Sequence, residues 1–233
     1  MVLHTNLHRL HLHQLLVALT QSKYGSILGF KGGTLAYFLY QLPRFSTDLD
    51  FDLLGEVEEQ TFLSDLIDIC GTIGTVKDAY NKENTVFLLL DYGINEMNIK
   101  IEINKRTRKN DHFSFKSLLG NQVLCMEEDD VFTNKLVALL ERKRTVSRDL
   151  FDVHFFLQQG FRINEALLLE RTGKKAEPYL QEVKKFIVSH FNEQNLLAGL
   201  GEVINEKQKY FVKTQLVQET IHLIDFYLTF KDR

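Results

Sequence analysis

The sequence predicts an α+β protein, with a mixed α/β part over residues 1–126 and a helical part over residues 127–233. Two observations carry this. Up to about residue 126, short apolar or strictly alternating runs, the signature of strands, are interleaved with helical spacings. From about residue 128 every periodic segment repeats its apolar residues at helical intervals. A glycine pair between an early apolar run and a helical one adds a strand–turn–helix unit to the first part.

Residues 6–22 have helical spacing, with Leu7, Leu10, Leu15, Leu16 and Leu19 as apolar contacts. Ser26 to Phe30 is short and apolar and suits a buried strand. Gly32-Gly33 then turns the chain, Thr34 to Tyr40 reads as a helix, and Pro43 ends it. Asp48 to Leu53 alternates acidic and apolar residues, a period-2 strand with one face of each kind. Residues 57–70 form an amphipathic helix. Thr85 to Leu90 is an apolar run, and Asp91-Tyr92-Gly93-Ile94-Asn95 carries turn chemistry. Met97 to Asn104 puts Ile99, Ile101 and Ile103 on one face and Lys100, Glu102 and Asn104 on the other. Gln122 to Met126 adds a further strand. Helical spacing then runs over 130–143, 148–158, 163–171, 177–191 and 208–230.

Composition narrows the class. The chain has 233 residues, two prolines, no internal repeat and ordinary apolar content. It lacks the roughly 20-residue apolar run of a membrane helix. Met1-Val2-Leu3-His4 is not a basic segment leading into an apolar one, so no signal peptide is expected. Cys70 and Cys125 stand alone and read as buried free thiols of a cytoplasmic protein. The net charge of −3 does not mark a nucleic-acid binder. Two basic runs, Lys105-Arg106-Thr107-Arg108-Lys109 and Arg142-Lys143-Arg144, are solvated surface by default and matter only beside a cleft.

The candidate chemistry lies in the acidic strand and the glycine turn. Asp48 and Asp50 project from one side of their strand, about 7 Å apart. Two anions that close repel unless a cation lies between them. Asp52 continues the row, and Glu102 has the same placement on another strand. If the two strands are neighbours, three hard oxygen ligands share one face and suit Mg²⁺ or Mn²⁺. The plainer reading is a solvent-facing acidic row. Gly32 and Gly33 allow close approach of a ligand to the backbone, and N–H groups opening the next helix can hold phosphate oxygens, with the Thr34 hydroxyl as a further donor.

Further along, Lys135, Ala138, Leu139 and Arg142 share one helical face, so Lys135 either faces inward or snorkels to water. Ser147 suits an N-cap, and Asp149 in the first turn favours the helix dipole. Arg148 and Asp152, at i and i+4, can pair. Arg44 is either a structural partner of Asp48 or a phosphate contact. His4, His8 and His11 lie near one helical face. No cysteine or carboxylate completes a zinc site there, so surface or interface histidines are the preferred reading. Phe151, Phe155 and Phe156 read as core.

In order, Gly32-Gly33-Thr34 and then Arg44-x-Ser46-x-Asp48-x-Asp50-Phe51 resemble the nucleotidyltransferase superfamily of the DNA polymerase β type. More narrowly they resemble the AbiEii/AbiGii toxin family of nucleotidyltransferases. Ile101-Glu102-Ile103-Asn104, Lys135-x-x-Ala138-x-x-x-Arg142 and Arg148-Asp149-x-x-Asp152 resemble its later motifs, in its order. The motifs run from Lys31 to Asp152; residues 160–233 match none. The resemblance implies a nucleotidyltransferase-like mixed sheet with flanking helices, and a helical region packed on that core to complete the active site. It implies that Asp48, Asp50 and Glu102 bind Mg²⁺ or Mn²⁺. It implies that Lys31, Gly32, Gly33, Thr34 and Ser46 hold the nucleoside triphosphate (NTP), that Lys135 neutralises phosphate charge, and that Asp152 or Asp149 orders the nucleotide end.

The expected activity is transfer of a nucleoside monophosphate from an NTP to a hydroxyl. The expected setting is the toxin of a type IV toxin–antitoxin or abortive-infection system. RNA, tRNA included, is the first acceptor to test, and a cognate antitoxin the implied partner. The alternatives are a protein hydroxyl as acceptor, or a non-catalytic nucleotide-binding or interaction protein that keeps the fold.

Overall fold

A computed structural model describes residues 3–106, 108–118, 120–142, 146–192 and 194–230. The chain divides into two compact units, Met1–Met126 and Glu127–Arg233. The first is a mixed sheet with helices. In chain order it contains α1 (Thr5–Thr20), β1 (Leu28–Lys31), α2 (Gly32–Leu39), β2 (Leu49–Leu53) and α3 (Glu59–Gly71). Then come β3 (Thr75–Lys82), β4 (Thr85–Asp91), β5 (Ile99–Asn104), β6 (Phe113–Leu118) and β7 (Asn121–Met126).

The seven strands lie in the order β3-β4-β5-β2-β1-β7-β6. β2 pairs parallel with β5 and antiparallel with β1, which in turn pairs parallel with β7. Because directly paired residues point to the same side of a sheet, the register sorts side chains into rows. Cys125, Phe30, Phe51, Ile103 and Val86 form one row across β7, β1, β2, β5 and β4, and all are buried. This is the core face. α1 offers it Leu12, Leu15, Leu16 and Leu19, and α3 offers Phe62, Leu66 and Cys70, all buried. Cys70 and Cys125 are buried thiols outside any disulfide, and burial pushes the Cys70 thiol up to about 12.

The opposite face carries the next residue of each strand. Lys31, Asp50, Glu102, Phe87 and Tyr80 form a row across β1, β2, β5, β4 and β3. None of these five is fully buried, whereas their strand neighbours Phe51, Ile101, Ile103, Val86 and Leu88 are. One strand face is thus apolar and covered, and the other is polar and partly exposed along this row, with Asp52 of the same face buried.

The second unit is helical among its described residues: α4 (Glu128–Glu141), α5 (Ser147–Gln158), α6 (Glu165–Thr172), α7 (Ala176–His190), α8 (Glu206–Thr214) and α9 (Leu216–Phe230). α5 packs against α4 and α9, and residues Asp149 to Leu157 along it are all buried.

Four local expectations differ from what is seen. β3 and β6 had no clear strand signal. They are the two edges of the sheet, where a strand has one neighbour and needs little apolar surface. The helical run over 208–230 is two helices parted at Gln215, whose φ of −131° leaves the helical region. Asn205 and Gln208 form a capping box that starts the first of them. Ser147 is the first helical residue and not the N-cap, which is Val146. The Ser147 hydroxyl instead donates to the Asn195 carbonyl at 2.8 Å.

Candidate active site

The N-terminal site grows from three neighbouring segments: the β1–α2 turn, the approach to β2, and β5. Lys31 pairs with Asp50 across β1 and β2, so the chain must turn into α2 directly beside the Asp50 side chain. Gly32 makes that turn at a φ of +81°, where an L side chain is strained. A Cβ there would lie 2.3 Å from Asp50 Oδ2. Gly33 is less tightly held, since its Cβ would meet the side-chain ends Ser46 Oγ at 2.9 Å and Arg44 Nη2 at 3.1 Å. At Gly32 the positive φ and the Asp50 side chain together demand glycine. Lys31, at the N-cap of α2, makes no side-chain cap hydrogen bond, so the opening N–H groups of α2 have no cap from that side chain.

Thr34 and Ser46 brace the site from below. Thr34 is fully buried, and its hydroxyl donates to the Asp48 carbonyl. A hydroxyl has one proton, so its other contact, 2.9 Å from Ser46 Oγ, is accepted from Ser46. The Thr34 hydroxyl, read from the sequence as a phosphate donor, is therefore engaged in holding the backbone of Asp48. Arg44, 5% exposed, donates to the Phe45 carbonyl and lies against Gly33. His8 of α1 adds a brace that no local pattern announces. Its Nε2 bonds the Thr47 carbonyl at 2.9 Å and its Nδ1 the Tyr92 hydroxyl at 2.7 Å. Burial lowers the His8 pKa, which favours the neutral ring with Nε2 as donor. His11 stacks on Tyr92 and His4 pairs with Glu96, so these histidines tie α1 to the Tyr92–Glu96 segment.

The acidic residues sit as follows. Asp50 of β2 and Glu102 of β5 are direct partners in the parallel ladder. Asp48, two residues before Asp50, is half-buried and lies just ahead of β2, not within the strand as the alternation predicts. Asp52, one step further, is 4% exposed and has its own partners. Lys31 Nζ and Asn104 Nδ2 each donate to its Oδ1 at 2.5 Å. The Lys31 ammonium, expected at the triphosphate, is thus neutralised by Asp52. The second Asp52 oxygen is buried with no hydrogen-bond partner among the described residues.

This donor set fits a hard divalent cation. It offers carboxylate oxygens from two adjacent strands, with a backbone turn alongside for phosphate. Among the described residues, no three such side chains are already gathered around one point. The register supplies the proximity, and rotation of side chains must supply the rest.

In the helical unit, the Lys135 ammonium of α4 lies 2.8 Å from an oxygen of Asp152 on α5, which is fully buried. Asp149, one turn earlier, is 1% exposed. Arg142 Nε approaches its Oδ2 at 2.7 Å, a charge contact without hydrogen-bond alignment. Burial raises the Asp149 pKa, against the pull of Lys135 and Arg142. Of the basic runs, Thr107, Lys143 and Arg144 lie outside the described residues. Lys105 is engaged with Glu59 at 2.8 Å and Asn81 at 2.9 Å, and Arg142 with Asp149.

Comparison with known proteins agrees with this fold. The solved structure of a candidate nucleotidyltransferase from H. pylori superposes with a TM-score of 0.65 at 19% identity, over 97% of this chain and 95% of that one. The structure of JHP933 from Helicobacter pylori does so with a TM-score of 0.61 at 18% identity, over 98% and 97%. At such identities the likeness shows the fold, a nucleotidyltransferase one. No curated protein matches the sequence. The family model described as "Nucleotidyl transferase AbiEii toxin, Type IV TA system" matches residues 14–214. With that match over most of its length, the chain belongs to the AbiEii nucleotidyltransferase toxin family.

Proposed function

We propose that this nucleotidyltransferase moves a nucleoside monophosphate from an NTP onto a hydroxyl of RNA, tRNA included, with Mg²⁺ or Mn²⁺ as cofactor. In this reading it is a cytoplasmic toxin countered by a cognate antitoxin. The observation that carries the chemistry is the pairing of Asp50 with Glu102, with Gly32 pressed against the same carboxylate.

Asp48, Asp50 and Glu102 would hold the cation. When bound, it supplies the positive charge that a triphosphate and an incoming oxygen both need. The chain's own groups do the rest. The opening N–H groups of α2 bind the β- and γ-phosphates, where the helix dipole favours negative charge. Gly32 and Gly33 let those phosphates approach the backbone. Ser46 and Thr34 keep Asp48 in place through the bonds described above. Glu102, on the exposed side of the pair, takes the proton of the attacking hydroxyl on a carboxylate oxygen. The hydroxyl oxygen bonds to the α-phosphorus, the bond to the bridging oxygen breaks, and pyrophosphate leaves. Lys135, Asp152 and Asp149 are assigned to the nucleotide on the family resemblance alone.

The test is incubation with labelled NTPs, Mg²⁺ or Mn²⁺ and total RNA. Label enters RNA with the native chain and not with Asp48→Ala. Persistence of label in that variant would refute the site. Label confined to protein would refute the RNA acceptor.

A further inference from the structure

The row that holds Asp50 and Glu102 does not end with them. Phe87 of β4 is the direct partner of Glu102, and Tyr80 of β3 is the direct partner of Phe87. Both rings are half-buried on the open face of the sheet. They stack, with centroids 4.8 Å apart and planes inclined by 13°. Lys82 is exposed, and its Nζ stands 4.3 Å from the centre of the Tyr80 ring. The second face of Phe87 is on the β5 side of the stack, where Glu102 is its ladder partner, and a base takes that face when the Glu102 side chain turns towards Asp50. Lys100, exposed on β5, shares this face, as does Asp78 on β3.

We infer that Phe87 and Tyr80 are a stacking platform for a base at the reacting end of single-stranded acceptor RNA, with Lys82 and Lys100 contacting its phosphates. The inference rests on the reading of Asp50 and Glu102 as catalytic carboxylates. Order along the row carries it. The glycine turn lies beyond Asp50 on the β1 side, and the aromatic pair lies beyond Glu102 on the β4 side, with the carboxylates between. In-line transfer requires the attacking hydroxyl and the departing pyrophosphate on opposite sides of the α-phosphorus. If the triphosphate occupies the α2 side, the acceptor must enter from the Phe87 side. Phe87 is one strand spacing, about 4.8 Å, from Glu102. A base stacked on it places its own ribose beside the carboxylates. Aromatic faces beside lysines are what a single strand binds without sequence preference. A cross-strand aromatic pair also stabilises a sheet, so the test must separate the two roles.

The experiment uses the full chain and a short fluorescent single-stranded RNA, with Phe87→Leu, Tyr80→Leu, the double variant and Tyr80→Phe. Leucine keeps the apolar contact and removes the π-face. We expect the double variant to weaken RNA binding about tenfold or more. NTP binding, read in parallel, stays unchanged, and Tyr80→Phe stays near native. Asp48→Ala binds RNA normally yet transfers nothing. Three results would overturn the platform: weaker NTP binding with unchanged RNA binding, a lowered melting temperature with both affinities unchanged, or equal losses in Tyr80→Phe and Tyr80→Leu. If the native chain labels RNA while the leucine variants bind and use RNA normally, the platform fails and the proposed function stands. If the native chain binds RNA through these rings but never labels it, the proposed function fails instead.

Discussion

Asp50 and Glu102 are side-by-side partners in the parallel ladder of β2 and β5, so two carboxylates from separate segments share one strand step. The ladder fixes the proximity of their backbones, and side-chain rotation brings the carboxylates to a shared cation. Replacing either by its amide keeps size and removes one anionic oxygen donor. Loss of an outer-sphere partner of a metal ligand already costs 10–100-fold, so losing a ligand itself should cost more than about hundredfold in transfer rate. Glu102 is exposed, and Glu102→Gln should leave the unfolding free energy within about 0.5 kcal/mol. Labelled-NTP transfer and urea unfolding of Asp50→Asn and Glu102→Gln check this. Chelation should abolish native activity and Mg²⁺ or Mn²⁺ restore it; native transfer that survives chelation would remove the metal from the account.

Gly32→Ala should cost both stability and activity, whereas Gly120→Ala should cost stability alone. Both glycines have a φ of +81°. Left-handed backbone costs an L-residue about 1–2 kcal/mol at either position. At Gly120 an added Cβ meets nothing within 4 Å, but at Gly32 it meets the Asp50 carboxylate at 2.3 Å. The extra loss at Gly32 is the displacement of Asp50, read as transfer rate at matched folded fraction. Equal activity in the two variants would show that the glycine serves the turn and not the site.

Five of the seven strands were legible, and the reason is burial. β1, β2, β4, β5 and β7 press one face into the core, so their sequences either alternate or run apolar. β3 reads Thr-Val-Lys-Asp-Ala-Tyr-Asn-Lys and β6 Phe-Ser-Phe-Lys-Ser-Leu, edges with little to bury. The shared face of Asp50 and Asp52 followed from period 2 alone, whereas Asp48 lies just ahead of the strand. That Glu102 stands opposite Asp50 did not, because register is a long-range property that depends on how whole strands pack. The same holds for His8 on Thr47, Lys31 on Asp52 and Phe87 on Tyr80. The first two join residues distant in sequence, and the third lies across a hairpin whose first strand, β3, carried no clear strand pattern.

Stability should fall as the pH drops below about 6.5, and His154 should account for part of the slope. His154 is 5% exposed, between Glu219 at 3.2 Å and the Phe211 ring. Burial lowers its pKa below the ordinary 6.5, and Glu219 pulls the other way without prevailing. With the folded pKa depressed, the unfolded chain binds the proton more readily between the two values. The stabilisation is therefore complete above 6.5 and is lost as the pH falls towards the folded pKa. His8 and His11, also lowered by burial, act with the same sign. Urea unfolding at about pH 7.5 and about pH 5.5 measures the drop. His154→Gln should flatten it, and an unchanged slope would assign the effect to other groups.

Lys135 and Asp152 test whether a buried ion pair serves catalysis or only the helical unit. Asp152 is fully buried and Lys135 is 13% exposed, so their 2.8 Å contact is poorly screened. Lys135→Met withdraws the ammonium from a buried carboxylate and should cost about 3 kcal/mol or more in unfolding free energy. Asp152→Asn in the same chain removes the buried charge and should return most of that loss, since a buried pair and a neutral pair of similar volume are close in stability. Transfer activity separates the two roles. If the pair neutralises phosphate and orders the nucleotide, Lys135→Met/Asp152→Asn folds well and remains inactive, with a raised Kd for NTP. If activity returns together with stability, the pair braces α4 against α5 and takes no part in the chemistry.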